Sequence, residues 1–187
     1  MEDQMFLDCF GCDVDYSLGN NFADFASQFS KDSRYRTELY KLRRKFMSHA
    51  DGLIHADLHT SNIMASRDKM KEIDMEFAFM GPFGYDLGYL VGNLISQYCA
   101  ACFKRFPSEQ SRKQFKAYLL ATIKSLIETY MKTFTLCWEK SVKERYRGQQ
   151  GLLQSILQEV MEDVPGYASM VNWFRSVSEI PYPDFDI

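Results

Sequence analysis

Between Phe77 and Phe103 the chain carries a single charge, Asp86. A run this apolar must be buried, either in lipid or in a protein core. Gly, Pro, Asn93 and Gln97 interrupt it, and only 17 uncharged residues follow Asp86. A membrane span needs about 20, so the run predicts a buried helix and no membrane association. Gly84, Gly88 and Gly92 recur every four residues, which puts them on one face of that helix, where a neighbour can approach closely. Helix pairing in a bilayer, the other use of such spacing, would need the longer span.

The whole chain has 187 residues, 46% hydrophobic and 15% aromatic, with 22 Lys+Arg against 25 Asp+Glu. That suits one globular domain that buries roughly two-thirds of its unfolded surface. Fifteen Phe and eleven Tyr argue against disorder, and a net charge of −3 argues against nucleic-acid binding. The acidic start MEDQMFLDCFGCDVD is unlike a secretory signal. Together these point to a cytoplasmic enzyme or binding domain. Basic residues concentrate in 34–45 and 104–150 and acidic ones in 1–32 and 151–187, a pattern that alternating solvated faces explain.

Five cysteines form the pairs Cys9/Cys12 and Cys99/Cys102, with Cys137 left over. Four-thiolate zinc sites usually separate their pairs by about 15–20 residues, and the separation here is far longer. Cys99 and Cys102 sit in the apolar YLVGNLISQYCAACF and are expected to be small buried hydrophobes. The odd number argues against a disulfide framework.

Helical periodicity dominates elsewhere. Tyr35, Leu39, Leu42 and Phe46 line one face of a helix whose other face is basic. From Phe115 to Trp138 the apolar positions, Tyr118, Leu119, Ile123, Leu126, Tyr130 and Phe134 among them, keep helical spacing and are expected in the core. Leu152 to Met161 form a further stripe that should stop near Pro165-Gly166, and Met170, Val171, Phe174 and Val177 a final one.

The centre differs. HADLHTSN follows Leu53-Ile54, then IMAS, a polar RDKM turn, and Lys71 to Phe77. Strict alternation predicts a strand over 71–77 with Ile73, Met75 and Phe77 on one side and Glu72, Asp74 and Glu76 on the other. Asp74 and Glu76, projecting together, suit a hard cation such as magnesium. Asp57 could accept a proton from a substrate hydroxyl or orient it. Asn62 could offer a carbonyl oxygen to a metal, and this order of groups specifies phosphoryl transfer.

His55-x-Asp57-x-x-x-x-Asn62 followed by Asp74 resembles the catalytic-loop and metal-binding pattern of the aminoglycoside phosphotransferase and choline kinase group, relatives of protein kinases. The stretches KFMSHADGLIHADLHTSNIM and IDMEFAFMGPFGYDLGYLVGNLI are similar to the C-terminal lobe of the methylthioribose kinase family. The resemblance implies a mainly α lobe of a protein-kinase-like α+β fold with a small β-hairpin. Residues 1–50 would be a hinge-proximal segment and helix, 51–100 the catalytic loop, metal hairpin and following helix, and 101–187 a helical subdomain. Asp57 would be the catalytic base or positioning aspartate. Asp74 and Glu76, with Asn62, would hold Mg2+ and through it ATP. His55 and Asp86 would support the catalytic loop. ATP and a small sugar would be the partners, in a homodimer.

The chain departs from that pattern in places. His55-Ala56-Asp57 stands where the family has His-Gly-Asp, a mild change if the backbone accepts a Cβ. Asn172-Trp173 fall where the family has adjacent arginines for substrate, leaving Arg175 as the nearby candidate. No G-x-G-x-x-G or P-loop pattern occurs. The expectation is therefore a C-terminal lobe without an ATP-clamping N-terminal lobe, of low activity alone. Two other readings stay open: a non-catalytic kinase-like interaction domain, and a metal-dependent hydrolase using His55, Asp57 and His59.

Overall fold

The computed structural model describes residues 5–6 and 27–177. Cys9/Cys12 and the hinge-proximal start lie mostly outside the described residues, as does the side chain of Val177. After a short helical stretch at 27–31, helix α1 (Ser33–Ser48) begins where the Asp32 carboxylate accepts from Tyr35 N at 2.8 Å, an N-cap that satisfies an otherwise orphaned donor. Its predicted stripe is the inward one, with Leu39 and Phe46 buried. Four short strands follow, β1 (Gly52–Ile54), β2 (Ile63–Ala65), β3 (Met70–Glu72) and β4 (Phe79–Gly81). β1 pairs antiparallel with β4, Leu53 opposite Met80, and β2 with β3, Met64 opposite Lys71. Three long helices complete the chain: α2 (Gly84–Ala100), α3 (Glu109–Ser141) and α4 (Gln150–Val177). The result is the mainly α fold with small β-hairpins that the sequence led us to expect.

The apolar run is α2, and it is central. Tyr85, Leu87, Tyr89, Val91 and Asn93 on successive faces are all buried. Its three glycines lie against α4. A Cβ on Gly84 would come within 2.9 Å of Asp163 Cβ, on Gly88 within 2.6 Å of Tyr167 Cβ, and on Gly92 within 2.9 Å of the Ala168 carbonyl. The two backbones therefore meet at a distance that any side chain would prevent. Among the described residues no helix is long and apolar enough to cross a membrane.

Three expectations need correction. α4 does not stop at Pro165; it runs unbroken through it. An interior proline forfeits one helical hydrogen bond and costs about 3 kcal/mol. Val160 and Val164 before it, and Tyr167, Ala168, Met170 and Val171 after it, are all buried. Full burial of one large apolar side chain is worth about 1.5–3 kcal/mol, so keeping both halves on the same core outweighs the lost bond. Lys45 Nζ adds a tie between α1 and α4, 2.5 Å from Glu159 and 2.6 Å from Asp163.

The second correction concerns α3, which is largely exposed. Only Leu119 on it is buried; Ile123, Leu126 and Tyr130 pack partly against Leu87, Val91, Val160 and Val164, while Tyr118 points to solvent. A single helix resting on one side of a two-helix core can bury only a narrow stripe. The third concerns Cys99 and Cys102, which are exposed: at the end of α2 it is Ala100 and Ala101 between them that are buried.

Candidate active site

The polar loop between β1 and β2 is held by one face of α2. Asp86, Tyr89 and Asn93 follow one another at intervals of three and four residues, so they stack along that face. Asp86 Oδ2 accepts from His55 N at 2.6 Å and Oδ1 from Ala56 N at 3.0 Å. Tyr89 donates its hydroxyl to Asp57 Oδ1 at 2.8 Å. Asn93 Oδ1 accepts from Thr60 N at 3.4 Å. The family resemblance points to Asp86 but not to Tyr89 and Asn93, whose spacing from Asp86 along α2 is the signal that finds them.

A second clip joins the loop to the chain after β3. Asp57 N donates to His55 Nδ1 at 3.3 Å, so the imidazole proton sits on Nε2, which donates to the Ile73 carbonyl at 2.8 Å. Ile73 N in turn donates to the Asn62 carbonyl at 3.0 Å. Both backbone groups of Ile73 are thus bound to the loop, and Asp74 emerges directly beside it. Because both ring nitrogens of His55 are committed, His55 has no lone pair for a metal. The hydrolase reading, which requires His55 and His59 as ligands, is overturned on that point.

The predicted strand over 71–77 is also corrected. β3 ends at Glu72, and Asp74 has φ +64°, a left-handed conformation that breaks the two-residue alternation. Ala78 N then donates to the Met75 carbonyl in a turn that carries Glu76. Asp adopts left-handed backbone more readily than most residues. Ile73, Met75 and Phe77 keep their alternation in sequence yet are all exposed.

Ala56 is the other residue with a left-handed backbone, at φ +69°, and it is fully buried. A Cβ there is strained by about 1–2 kcal/mol, so replacing the family's glycine is not the mild change expected. The strain persists because Asp86 holds the amides on both sides of the His55–Ala56 link.

Electrostatics separate the two aspartates. Burial acts to raise the Asp57 pKa, but hydrogen bonds from His59 and Tyr89, then the positive charge of His59, outweigh it and hold the carboxyl below its usual value. His59 Nε2 lies 3.5 Å from Asp57 Oδ2. Asp86 goes the other way, raised by burial despite the two backbone amides that lower it. The loop therefore presents one readily ionised carboxylate, partly open to solvent, backed by one structural carboxylate that is more deeply set.

Asn62 is buried and its Nδ2 donates to the Asp57 carbonyl at 3.1 Å, so its amide oxygen is the atom left to face a cation. Asp74 and Glu76 are exposed. Among the described residues no three His, Cys, Asp or Glu side chains are gathered as a metal cage. Oxygen donors that leave coordination positions to phosphates and water suit magnesium, which seldom takes an all-protein cage. Arg175 is buried in the last turn of α4, and that burial lends no support to a substrate contact.

Comparison with known proteins gives a consistent picture. Residues 20–126 match the phosphotransferase enzyme family (APH). The chain is 33% identical over 189 residues to a methylthioribose kinase of Geobacillus thermodenitrificans, covering 99% of this chain and 44% of that protein. It is 36% identical over 115 residues to methylthioribose kinase 1 of rice, covering 62% of this chain and 26% of the relative. A methylthioribose kinase of Yersinia enterocolitica is 28% identical, over 83% of this chain and 39% of its own length. The chain spans less than half the length of these relatives.

Proposed function

The chain belongs to the phosphotransferase enzyme family, and we propose that it serves an ATP-dependent kinase of the methylthioribose type, which transfers the γ-phosphoryl group to the 1-hydroxyl of 5-methylthioribose in methionine salvage. The observation that carries this reading is the Asp57 carboxylate, ionised and aimed by Tyr89 and His59 on a loop pinned by Asp86. Phosphoryl transfer asks little covalent chemistry of a protein; it asks for position and charge. Asp57 would orient the acceptor hydroxyl and take its proton. Asp74, Glu76 and the Asn62 amide oxygen would hold Mg2+, which neutralises phosphate charge when bound. His55, through Ile73, keeps Asp74 beside the loop. ATP, the sugar, a homodimer and a cytoplasmic setting accompany this reading, and residues 1–187 would act as one C-terminal lobe.

A second reading, a kinase-like interaction domain without catalysis, draws on the positions where the family carries two arginines. Asn172 accepts from Ser96 Oγ, and the buried Trp173 packs against Phe29 in a tilted pair with ring centroids 4.6 Å apart, so these side chains serve packing. The test is phosphorylation of 5-methylthioribose with Mg-ATP, read by mass spectrometry. It is run on the protein itself and on a chimera in which it replaces the matching segment of the Geobacillus thermodenitrificans enzyme. The kinase reading expects sugar phosphate from the chimera, reduced by about a thousandfold or more when Asp57→Asn removes the positioned carboxylate. A folded chimera that binds Mg-ATP and phosphorylates nothing favours the interaction domain.

A further inference from the structure

At the far end of α2 from the catalytic loop are two exposed thiols, Cys99 and Cys102, and Cys102 meets a cluster of positive charge. Cys99 lies in the last turn of the helix and Cys102 just beyond it, and Cys102 N donates to the Cys99 carbonyl at 3.0 Å. A turn closed in that way brings its end Cα atoms within about 7 Å, and disulfides span about 4.4–6.8 Å. From the first turns of α3, Lys116 Nζ donates to Cys102 Sγ at 3.2 Å while sitting 4.3 Å from the centre of the Tyr98 ring. A thiolate accepts from an ammonium far better than a thiol does.

The surroundings of the Cys102 sulfur are mostly cationic. Tyr98, Cys102, Arg112, Lys113 and Lys116 line a cavity of about 480 Å3, with Glu109 as its only acid. That acid is paired with Arg112 Nη1 at 2.7 Å. The Lys116 ammonium is held above its ordinary pKa, first by the hydrogen bond to Cys102. Cys137, also exposed, sits elsewhere on α3 and is absent from this lining.

We propose that Cys99 and Cys102 are a redox-active dithiol that reduces hydroperoxides, with Cys102 the attacking thiol, Lys116 its positioning residue and Cys99 the resolving thiol. The Cys102 thiolate attacks one peroxide oxygen, the O–O bond breaks, and the leaving oxygen takes a proton to depart as water or an alcohol. Cys102 is left as a sulfenic acid. Cys99 sulfur then attacks Cys102 sulfur, its proton and the sulfenic hydroxyl leave together as water, and a disulfide remains. Two thiols are oxidised and one peroxide is reduced. Lys116 loses its anionic partner in the process, so oxidation loosens the tie between the end of α2 and the start of α3. None of this depends on the phosphoryl-transfer reading.

The test is peptide-resolved mass spectrometry of the native protein. With limiting iodoacetamide, Cys102 should be alkylated about tenfold faster than Cys137. With hydrogen peroxide, wild type should form a Cys99–Cys102 disulfide, and Cys99→Ser should accumulate a sulfenic acid on Cys102 that dimedone captures. Lys116→Gln should slow Cys102 to the rate of Cys137, and Lys116→Arg, which keeps a cation there, should restore most of the difference. Equal alkylation of Cys102 and Cys137 in wild type overturns the proposal. So does peroxide treatment that oxidises Cys102 without ever linking it to Cys99, or a Lys116→Gln variant whose Cys102 reacts as fast as wild type.

Discussion

Tyr89 reaches from the middle of α2 to the Asp57 carboxylate, 2.8 Å from hydroxyl to Oδ1. It joins a helix buried along most of its length to the half-buried acid of the loop between β1 and β2. A hydrogen bond to a charged group contributes about 1.5–3 kcal/mol, and Asp57 keeps some contact with water, so the lower part of that range applies. Tyr89→Phe should therefore reduce stability by about 1.5 kcal/mol in urea unfolding. It should also raise the Asp57 pKa, followed by carboxyl NMR, and lower sugar phosphorylation about tenfold in the chimera. An Asp57 that titrates identically in the variant would show that the bond does no electrostatic work.

The two loop aspartates should give stability profiles of opposite slope. Asp57 has its folded pKa below the unfolded value of about 3.9, so its contribution is present above that pH and is lost as pH falls through the folded value. Asp86 has its folded pKa above the unfolded one, so its contribution is present below about pH 3.9 and is lost as pH rises through the folded value. Urea unfolding between about pH 3 and 6 should then show the advantage of wild type over Asp57→Asn growing with pH, and its advantage over Asp86→Asn shrinking. Slopes of the same sign would refute the assignment of roles.

Ala56 offers a gain rather than a loss. At φ +69° its Cβ costs about 1–2 kcal/mol, whereas glycine gives back about 0.5–1 kcal/mol through the freedom of its unfolded chain. Ala56→Gly should stabilise the protein by up to about 1 kcal/mol, with the His55 and Ala56 amides still bound to Asp86. Ala56→Val should destabilise it by more than that gain. A glycine variant that melts below wild type would mean the loop relaxes in a way this geometry does not contain.

Much of the site was legible because short-range chemistry dictates it. Asp57 and Asn62 stand out by their order along the loop, the family resemblance points to His55 and Asp86, and hydrogen bonds tie the four together around the loop between β1 and β2. Asp74 was placed in the right neighbourhood with the wrong backbone. Alternation of Ile73, Met75 and Phe77 implies a strand only if one side is buried, and all three are exposed. The passage of α4 through Pro165 was hidden for a different reason: local propensity argues for a break, and only the shared core with α2 argues against it. The exposure of α3 was equally invisible, since a stripe of apolar residues does not say how many partners it will find.

The glycines on α2 turn that shared core into a measurement. On Gly88 a Cβ meets Tyr167 Cβ at 2.6 Å and the Val164 carbonyl at 3.0 Å, and on Gly92 it meets the Ala168 carbonyl at 2.9 Å. None of these atoms is the end of a flexible side chain, so α2 and α4 must separate to admit a methyl group. Overpacking of this kind costs about 1–3 kcal/mol per site, offset by at most about 1 kcal/mol from the better helix propensity of alanine. Gly151, also helical, has nothing within 4 Å of its Cβ position, so Gly151→Ala isolates the propensity gain. Gly88→Ala and Gly92→Ala should lower the urea midpoint while Gly151→Ala raises it slightly. Because α2 also carries Asp86, Tyr89 and Asn93, the first two variants should speed hydrogen exchange of the His55, Ala56 and Thr60 amides, and the third should leave it unchanged. Three variants that move the midpoint in the same direction would show that the close approach of these helices contributes nothing to holding the loop.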